Sequence, residues 1–259
     1  MAERLTSPHN PKIKELLALE SSSRERKARG LFVVEGRREF ERACAAGLEP
    51  VTVFVREGET ETSRADFVVS SQLYEKIAWR GSTEGIVAIL QVRETHLEEL
   101  QLSPSPLILV LESVEKPGNL GAVLRSADAA GVDAVLVCDP LSDLYNPNLI
   151  RASLGAIFSV PTVACTSEKA CAWLKAQGIA ILTAQLQDSE LYYETDMVRP
   201  TALVFGTEDK GLSDFWRERA DAHIRIPMAG TMDSLNVSVS AAVLAFEAVR
   251  QRNLKNPQR

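Results

Sequence analysis

The chain has 259 residues, 45% of them hydrophobic and 25% charged, with a formal net charge of −6. That is the balance of a folded globular protein and excludes collagen-like, disulfide-framework and disordered classes. No apolar run approaches the roughly 20 residues that a membrane helix needs, and the first residues, MAERLTSPHNPKIKE, lack the apolar core of a secretory signal.

The acidic balance argues against a nucleic-acid partner, but its distribution does not. Residues 1–42 hold ten Lys and Arg against seven Asp and Glu, whereas residues 43–100 hold five against ten. The run Ser21 to Arg29 places Arg24, Arg26, Lys27 and Arg29 within six positions. It is either the solvated end of a helix or a patch that contacts phosphates. The four cysteines, Cys44, Cys138, Cys165 and Cys171, form no CxxC pair and with three histidines make a poor metal set. Reduced thiols in a cytoplasmic protein and no metal site are expected.

Pro11 to Leu19 has helical spacing, Leu31 to Val34 reads as a strand, and Arg37 to Ala46 as a helix stopped by Gly47. Val51–Val55, Phe67–Val69 and Ile86–Leu90 are strand-like, with a helix from Ser71 to Trp79 capped by Ser70. Ser103-Pro104-Ser105-Pro106 breaks the pattern as a linker. Beyond it, strands are expected at Leu107–Leu111, Ala134–Cys138, Ile179–Thr183, Ala202–Phe205 and His223–Ile226. Helices are expected at Leu120–Ala130, Ser167–Ala176 and Val237–Arg250, followed by a frayed polar tail. Strands alternating with helices imply an α/β protein with a mostly parallel sheet.

The polar residues gather at the strand ends. One strand stops at Gly206 and Glu208, another at Pro227, and Ser234-Leu235-Asn236-Val237-Ser238 opens a helix. Ligands of α/β proteins are held at such places. Gly118-Asn119-Leu120-Gly121 does not supply a GxGxxG turn. Gly206 to Gly211 has the spacing of a P-loop, but Leu212 stands where its lysine must be, and Glu208 and Asp209 would repel phosphates. Acidic, glycine-bearing strand ends suit a cofactor without phosphates. Asn119 reads as a helix cap. Arg125, flanked by Ala122, Val123, Leu124, Ala127, Ala129 and Ala130, reads as part of a packed helix. A surface ion pair is the plain alternative for Arg125, a solvated loop carboxylate for Glu208, and simple capping for Ser234 and Asn236.

Three stretches in register carry a resemblance over the whole chain. Glu115-Lys116-Pro117-Gly118-Asn119 through Arg125-Ser126-Ala127, Asn146-Pro147 through Gly155-Ala156, and Leu203 to Ala242 resemble the motifs of the SpoU (TrmH-like) branch of the SPOUT RNA methyltransferases. Many relatives have Asn-Glu-Gly where this chain has Thr207-Glu208-Asp209. Thr6 to Lys14 and Leu31 to Gly36 resemble the L30e-like substrate-binding domain that precedes many SpoU domains.

The resemblance implies an L30e-like α/β sandwich over residues 1–102, a linker at 103–106, and a SPOUT domain with a trefoil knot over 107–259. It further implies S-adenosylmethionine as cofactor, a homodimer, and 2′-O-methylation of ribose in RNA. Ribosomal RNA is the expected substrate; transfer RNA, or an inactive RNA-binding member of the fold, is the alternative. Leu203, Gly206, Ile226, Met228 and Leu235 would line the cofactor pocket, and Arg125, Asn119, Glu208, Ser234 and Asn236 would serve catalysis. A guanidinium does not ordinarily give up its proton, so Arg125 acts either through a strongly depressed pKa or by holding charge on an oxygen.

Overall fold

The computed structural model describes residues 2–59, 64–79, 85–141 and 143–255. They form two compact units: residues 1–93 with 142–159, and residues 94–141 with 160–259.

The first unit runs β1 (Glu3–Leu5), α1 (Pro11–Ser21), α2 (Ser23–Arg29), β2 (Leu31–Glu35), α3 (Arg37–Ala45), β3 (Pro50–Arg56), β4 (Phe67–Val69), α4 (Ser71–Ile77) and β5 (Ile86–Gln91). Its mixed sheet has the order β1-β4-β3-β5-β2. Ile13, Leu16 and Leu19 recur at helical spacing on α1 and are fully buried with Phe54, Val87 and Ile89 of the sheet. Ser70 caps α4 as expected, its hydroxyl accepting from Leu73 N at 3.3 Å.

A segment distant in sequence completes this unit. Tyr145 and Phe158 stack near Phe32, with ring centroids at 4.3 and 6.0 Å. Arg26 is 4% exposed. It forks onto Asp143 at 2.8 and 3.3 Å and donates to the carbonyls of Leu19 and Glu20 at the end of α1. Arg151 pairs with the buried Glu35 at 3.0 Å and lies 4.8 Å over the Trp79 ring.

Glu20 sits beside this charge cluster. Burial, and next the negative charge of Glu35, push its carboxyl up to about 7 against the opposing pull of Arg151. The folded state thus favours the protonated acid. The stabilisation is fully present below the ordinary carboxylate value and is lost as pH rises through about 7. A shift of this size corresponds to about 3 kcal/mol. Glu20→Gln, neutral at every pH, is expected to match the wild type in urea unfolding at pH 4.5 and to exceed it at pH 8. An equal difference at both pH values would refute the assignment.

The second unit carries β6 (Leu107–Glu112), α5 (Pro117–Ala130), β7 (Ala134–Cys138), β8 (Thr162–Cys165), α8 (Ser167–Ala176), β9 (Ala180–Ala184), β10 (Glu190–Leu191), β11 (Thr201–Phe205), α9 (Asp214–Arg219), β12 (Ala222–Arg225) and α10 (Val237–Lys255). The short helices α6 (Pro147–Ala152) and α7 (Ala156–Ser159) belong to the first unit. All strand pairs of this second sheet are parallel, in the order β10-β12-β9-β11-β6-β7-β8. Residues of β6, β7 and β11 are buried without alternation because helices cover both faces. Ile108, Val110, Leu136, Ala202 and Val204 pack with Leu174 of α8 and Trp216 of α9, while α5 and α10 pack against each other.

The expected frayed tail is not seen as far as Lys255, where α10 ends. Gln251 bonds to Met197 N and Thr195 O, and Arg252 to the carbonyls of Met197, Ser105 and Pro106. The remaining tail residues, 256–259, lie outside the described residues. The strands β1, β8 and β10 and helices α2, α6, α7 and α9 are additions to the expected elements; each is seven residues or fewer and too short to show a period.

Candidate active site

Strands β6 and β11 lie side by side, Leu111 opposite Phe205. From β6 the chain leaves towards β7 and β8; the strands on the other side of β11 are reached later. This is the switch point at which open α/β sheets bind ligands beyond their carboxyl ends. The loops after β6 and β11 meet there.

The loop after β11 is a tight return. Thr207 and Gly211 exchange backbone hydrogen bonds at 3.2 and 3.0 Å. Gly211 has φ +65°, the left-handed region that glycine adopts without strain. Ser213 closes the loop, its backbone N–H and hydroxyl donating to the buried Glu112 at 2.9 and 2.5 Å.

The return presents Glu208 to three elements. Lys116 Nζ donates to Oε2 at 3.1 Å and Asn119 Nδ2 to Oε1 at 3.0 Å. Asn236 Nδ2 donates to the same Oε1 and to Asn119 Oδ1. The Lys116 ammonium, first, and the Asn119 amide with the Val237 N–H hold the Glu208 carboxyl below its ordinary range; Glu208 in turn raises Lys116. Asn236 also caps α10, its Oδ1 accepting from Ser238 N at 2.9 Å and Ser238 Oγ at 2.6 Å. Asn119 is not the cap expected of it: α5 begins at Pro117 after Lys116, so Asn119 falls in the first turn with its side chain free for Glu208.

Cavities open on both sides of the 207–212 loop. One, of about 550 Å³, is lined by the 112–116 segment, Asn119 and the loop. The other, of about 340 Å³, is lined by Gly206, Ile226, Met228, Ser234 and Leu235 among others. Of the residues expected around a cofactor, only Leu203 is elsewhere, fully buried within β11. Ser234 faces the second cavity and bonds to Asp233 rather than to the Glu208 cluster.

Arg125 is exposed on α5, away from the buried face of Leu120, Val123, Leu124 and Ala127. It joins neither cavity nor cluster, and it makes no hydrogen bond or ion pair among the described residues. Cys138 is fully buried and no cysteine lines either cavity. Among the described residues no group of three or more His, Cys, Asp and Glu is placed to hold a metal ion.

Of the basic run in the first unit, Arg24 and Lys27 are exposed and unpaired among the described residues. Arg29 is held by Glu15 and Glu25. Arg26 drops out of the expected phosphate patch, because it is buried on Asp143.

The second cavity fits S-adenosylmethionine. Its volume falls within the ordinary ligand range. Gly206 and the backbone leaving β12 form part of its wall. The wall carries three carboxylates, Glu208, Asp209 and Asp233, beside three cations, Lys210, Arg217 and Arg225, a mixed lining that suits a ligand with both a sulfonium and an amino-acid end. Two wall atoms, Gln185 Oε1 and Arg217 Nε, are buried without a hydrogen-bond partner among the described residues. Sequence reasoning missed Lys116 and Arg217, although both lie within the quoted stretches, and it missed Gln185, which lies outside them.

A parallel sheet with its polar residues drawn to one switch point defines an α/β ligand-binding catalytic domain. The chain belongs to the SpoU rRNA methylase family, whose model matches residues 106–246. An MRM3-like substrate-binding domain matches residues 10–88. The chain is similar to the 23S rRNA (uridine(2479)-2′-O)-methyltransferase of Streptomyces viridochromogenes, 30% identical and covering 97% of this chain and 93% of that one. Among solved structures it resembles an RNA 2′-O ribose methyltransferase at TM-score 0.84 and 42% identity, over 96% of this chain and 99% of that one. It also resembles the AdoMet-bound rRNA methyltransferase of Sinorhizobium meliloti at TM-score 0.88 and 27% identity, over 96% and 98% of the chains.

Proposed function

We propose that the chain methylates a ribose 2′-hydroxyl of ribosomal RNA with S-adenosylmethionine, residues 1–102 gripping RNA and residues 107–259 carrying the chemistry. The Glu208 cluster, which ties the starts of α5 and α10 to the loop beside the glycine-bearing cavity, carries this reading. Ribosomal rather than transfer RNA is supported by the similarity to the 23S rRNA methyltransferase of Streptomyces viridochromogenes.

Bound in the second cavity, S-adenosylmethionine supplies an electrophilic methyl group on a cationic sulfur. Gly206, Ile226, Met228 and Leu235 hold the cofactor. Asn119 and Asn236, fixed through Glu208, keep the loop and helix starts in one arrangement, so little reorganisation is needed when substrate arrives. Ser234 stands near the reacting hydroxyl. Arg125 would stabilise the negative charge that develops on the oxygen as it attacks the methyl carbon, the hydroxyl proton passing to water and S-adenosylhomocysteine leaving.

A homodimer brings Arg125 to a site. Among the described residues its own subunit gives it no partner, and Val239 and Phe246 on α10 are each 47% exposed, with Val243 between them on the same face. A monomer of full activity in sedimentation would exclude the dimer. The cytoplasm is the proposed compartment, consistent with four free cysteines; fractionation away from ribosomes would contradict it.

The deciding experiment uses RNA from a strain lacking the gene. The methylated nucleotide is mapped by mass spectrometry, and the same RNA is then made with a single 2′-deoxy nucleotide there. Methylation is expected to vanish; if it persists on that residue, the base is the target. In the binding assay that accompanies it, Arg24, Lys27 and Arg29 changed to Gln should flatten the salt dependence of RNA affinity. An unchanged slope would make the run a solvated surface.

A further inference from the structure

Arg217 is the cation of the cofactor cavity that has no other employment. Three basic side chains line that cavity: Lys210, Arg217 and Arg225. Lys210 is exposed to water, and Arg225 donates to Ser189 Oγ at 3.5 Å. Arg217 Nε is buried and has no hydrogen-bond partner among the described residues. Its position is fixed from below. The neighbouring Trp216 is fully buried and donates from Nε1 to Ser167 Oγ at 3.0 Å, so α9 is anchored to the core. Arg217 Nη2 lies 3.8 Å from where a side chain on Gly211 would begin. That puts the guanidinium beside the loop that carries Glu208.

A buried N–H without an acceptor is costly, and a charged group is more costly than a neutral one. The strongest complement to a guanidinium edge is a carboxylate, which accepts two parallel hydrogen bonds. Of the two carboxylates of the adjoining loop, Glu208 is already held by Lys116, Asn119 and Asn236, and Asp209 is exposed and makes no hydrogen bond to the buried Nε among the described residues. The acceptor is therefore expected from the ligand, and S-adenosylmethionine carries one carboxylate, on its amino-acid end.

The geometry points to Arg217 as the residue that binds the amino-acid carboxylate of the cofactor. This fixes which end of the cofactor faces α9. It rests on the proposed use of S-adenosylmethionine.

Titration calorimetry on the full chain tests it with two ligands, S-adenosylhomocysteine and 5′-methylthioadenosine. They share the adenosine and the sulfur, and only the first has the carboxylate. Arg217→Met is expected to weaken S-adenosylhomocysteine by about 10- to 100-fold, the range for a hydrogen bond to a charged group. It should leave methylthioadenosine unchanged, and that unchanged affinity also shows the cavity to be folded. Arg217→Lys should recover part of the loss. Equal weakening of both ligands would make Arg217 a scaffold or adenosine contact, and no weakening of either would remove it from the site; both outcomes overturn the inference. A wild-type chain that binds neither ligand would instead remove the cofactor reading on which it rests.

Discussion

Arg125→Ala should slow methyl transfer by about 10² to 10³-fold, the usual cost of losing a well-placed electrostatic group, while S-adenosylhomocysteine binds as before. The two readouts separate because Arg125 touches neither cavity and makes no hydrogen bond or ion pair among the described residues. It is exposed on α5, so its removal leaves no buried partner uncompensated and the melting temperature should hold. Arg125→Lys should fail nearly as badly, because a point ammonium does not reproduce the planar fork of a guanidinium. A variant with wild-type turnover at saturating cofactor and RNA would return Arg125 to an ordinary surface residue.

What was legible in the sequence was what repeats locally. β6 and β11 were found within a residue because strands covered on both faces read as unbroken apolar runs. The motif residues Asn119, Glu208 and Asn236 are drawn together as a set. What stayed hidden was non-local. The partner of Glu208 is Lys116, 92 positions away, and nothing in spacing joins them. The run from Arg24 to Arg29 looked uniform, yet helix geometry turns Arg26 inward to Asp143, 117 positions on. The same limit conceals that residues 143–159 complete the sheet unit built by the first 93. Short elements such as β10, with two residues, carry no period to find.

Gly206→Ala should have the other large effect, and for a reason that is steric. Gly206 is not in the left-handed region, so its backbone angles would admit any residue. A Cβ there, however, would lie 2.2 Å from the carbonyl carbon and oxygen of Gly211 and 2.4 Å from Leu212 N. These are backbone atoms and cannot swing aside. The loop cannot yield easily, since it is closed by the Thr207–Gly211 bonds at one end and by Ser213 on Glu112 at the other. Overpacking of this kind costs about 1–3 kcal/mol. The cheapest relief is to open the return, which moves Glu208 off Asn119 and Asn236 and reshapes both cavities at once. The expected result is at least about a tenfold loss of S-adenosylhomocysteine affinity, together with loss of methyl transfer and a lower melting temperature. Gly118→Ala is the control, because nothing lies within 4 Å of a Cβ at that helical position and alanine is the better helix former. It should leave cofactor affinity unchanged. Wild-type affinity in Gly206→Ala would show that the return opens without disturbing the cofactor, and that the close approach of Gly206 to Gly211 is not what shapes the site.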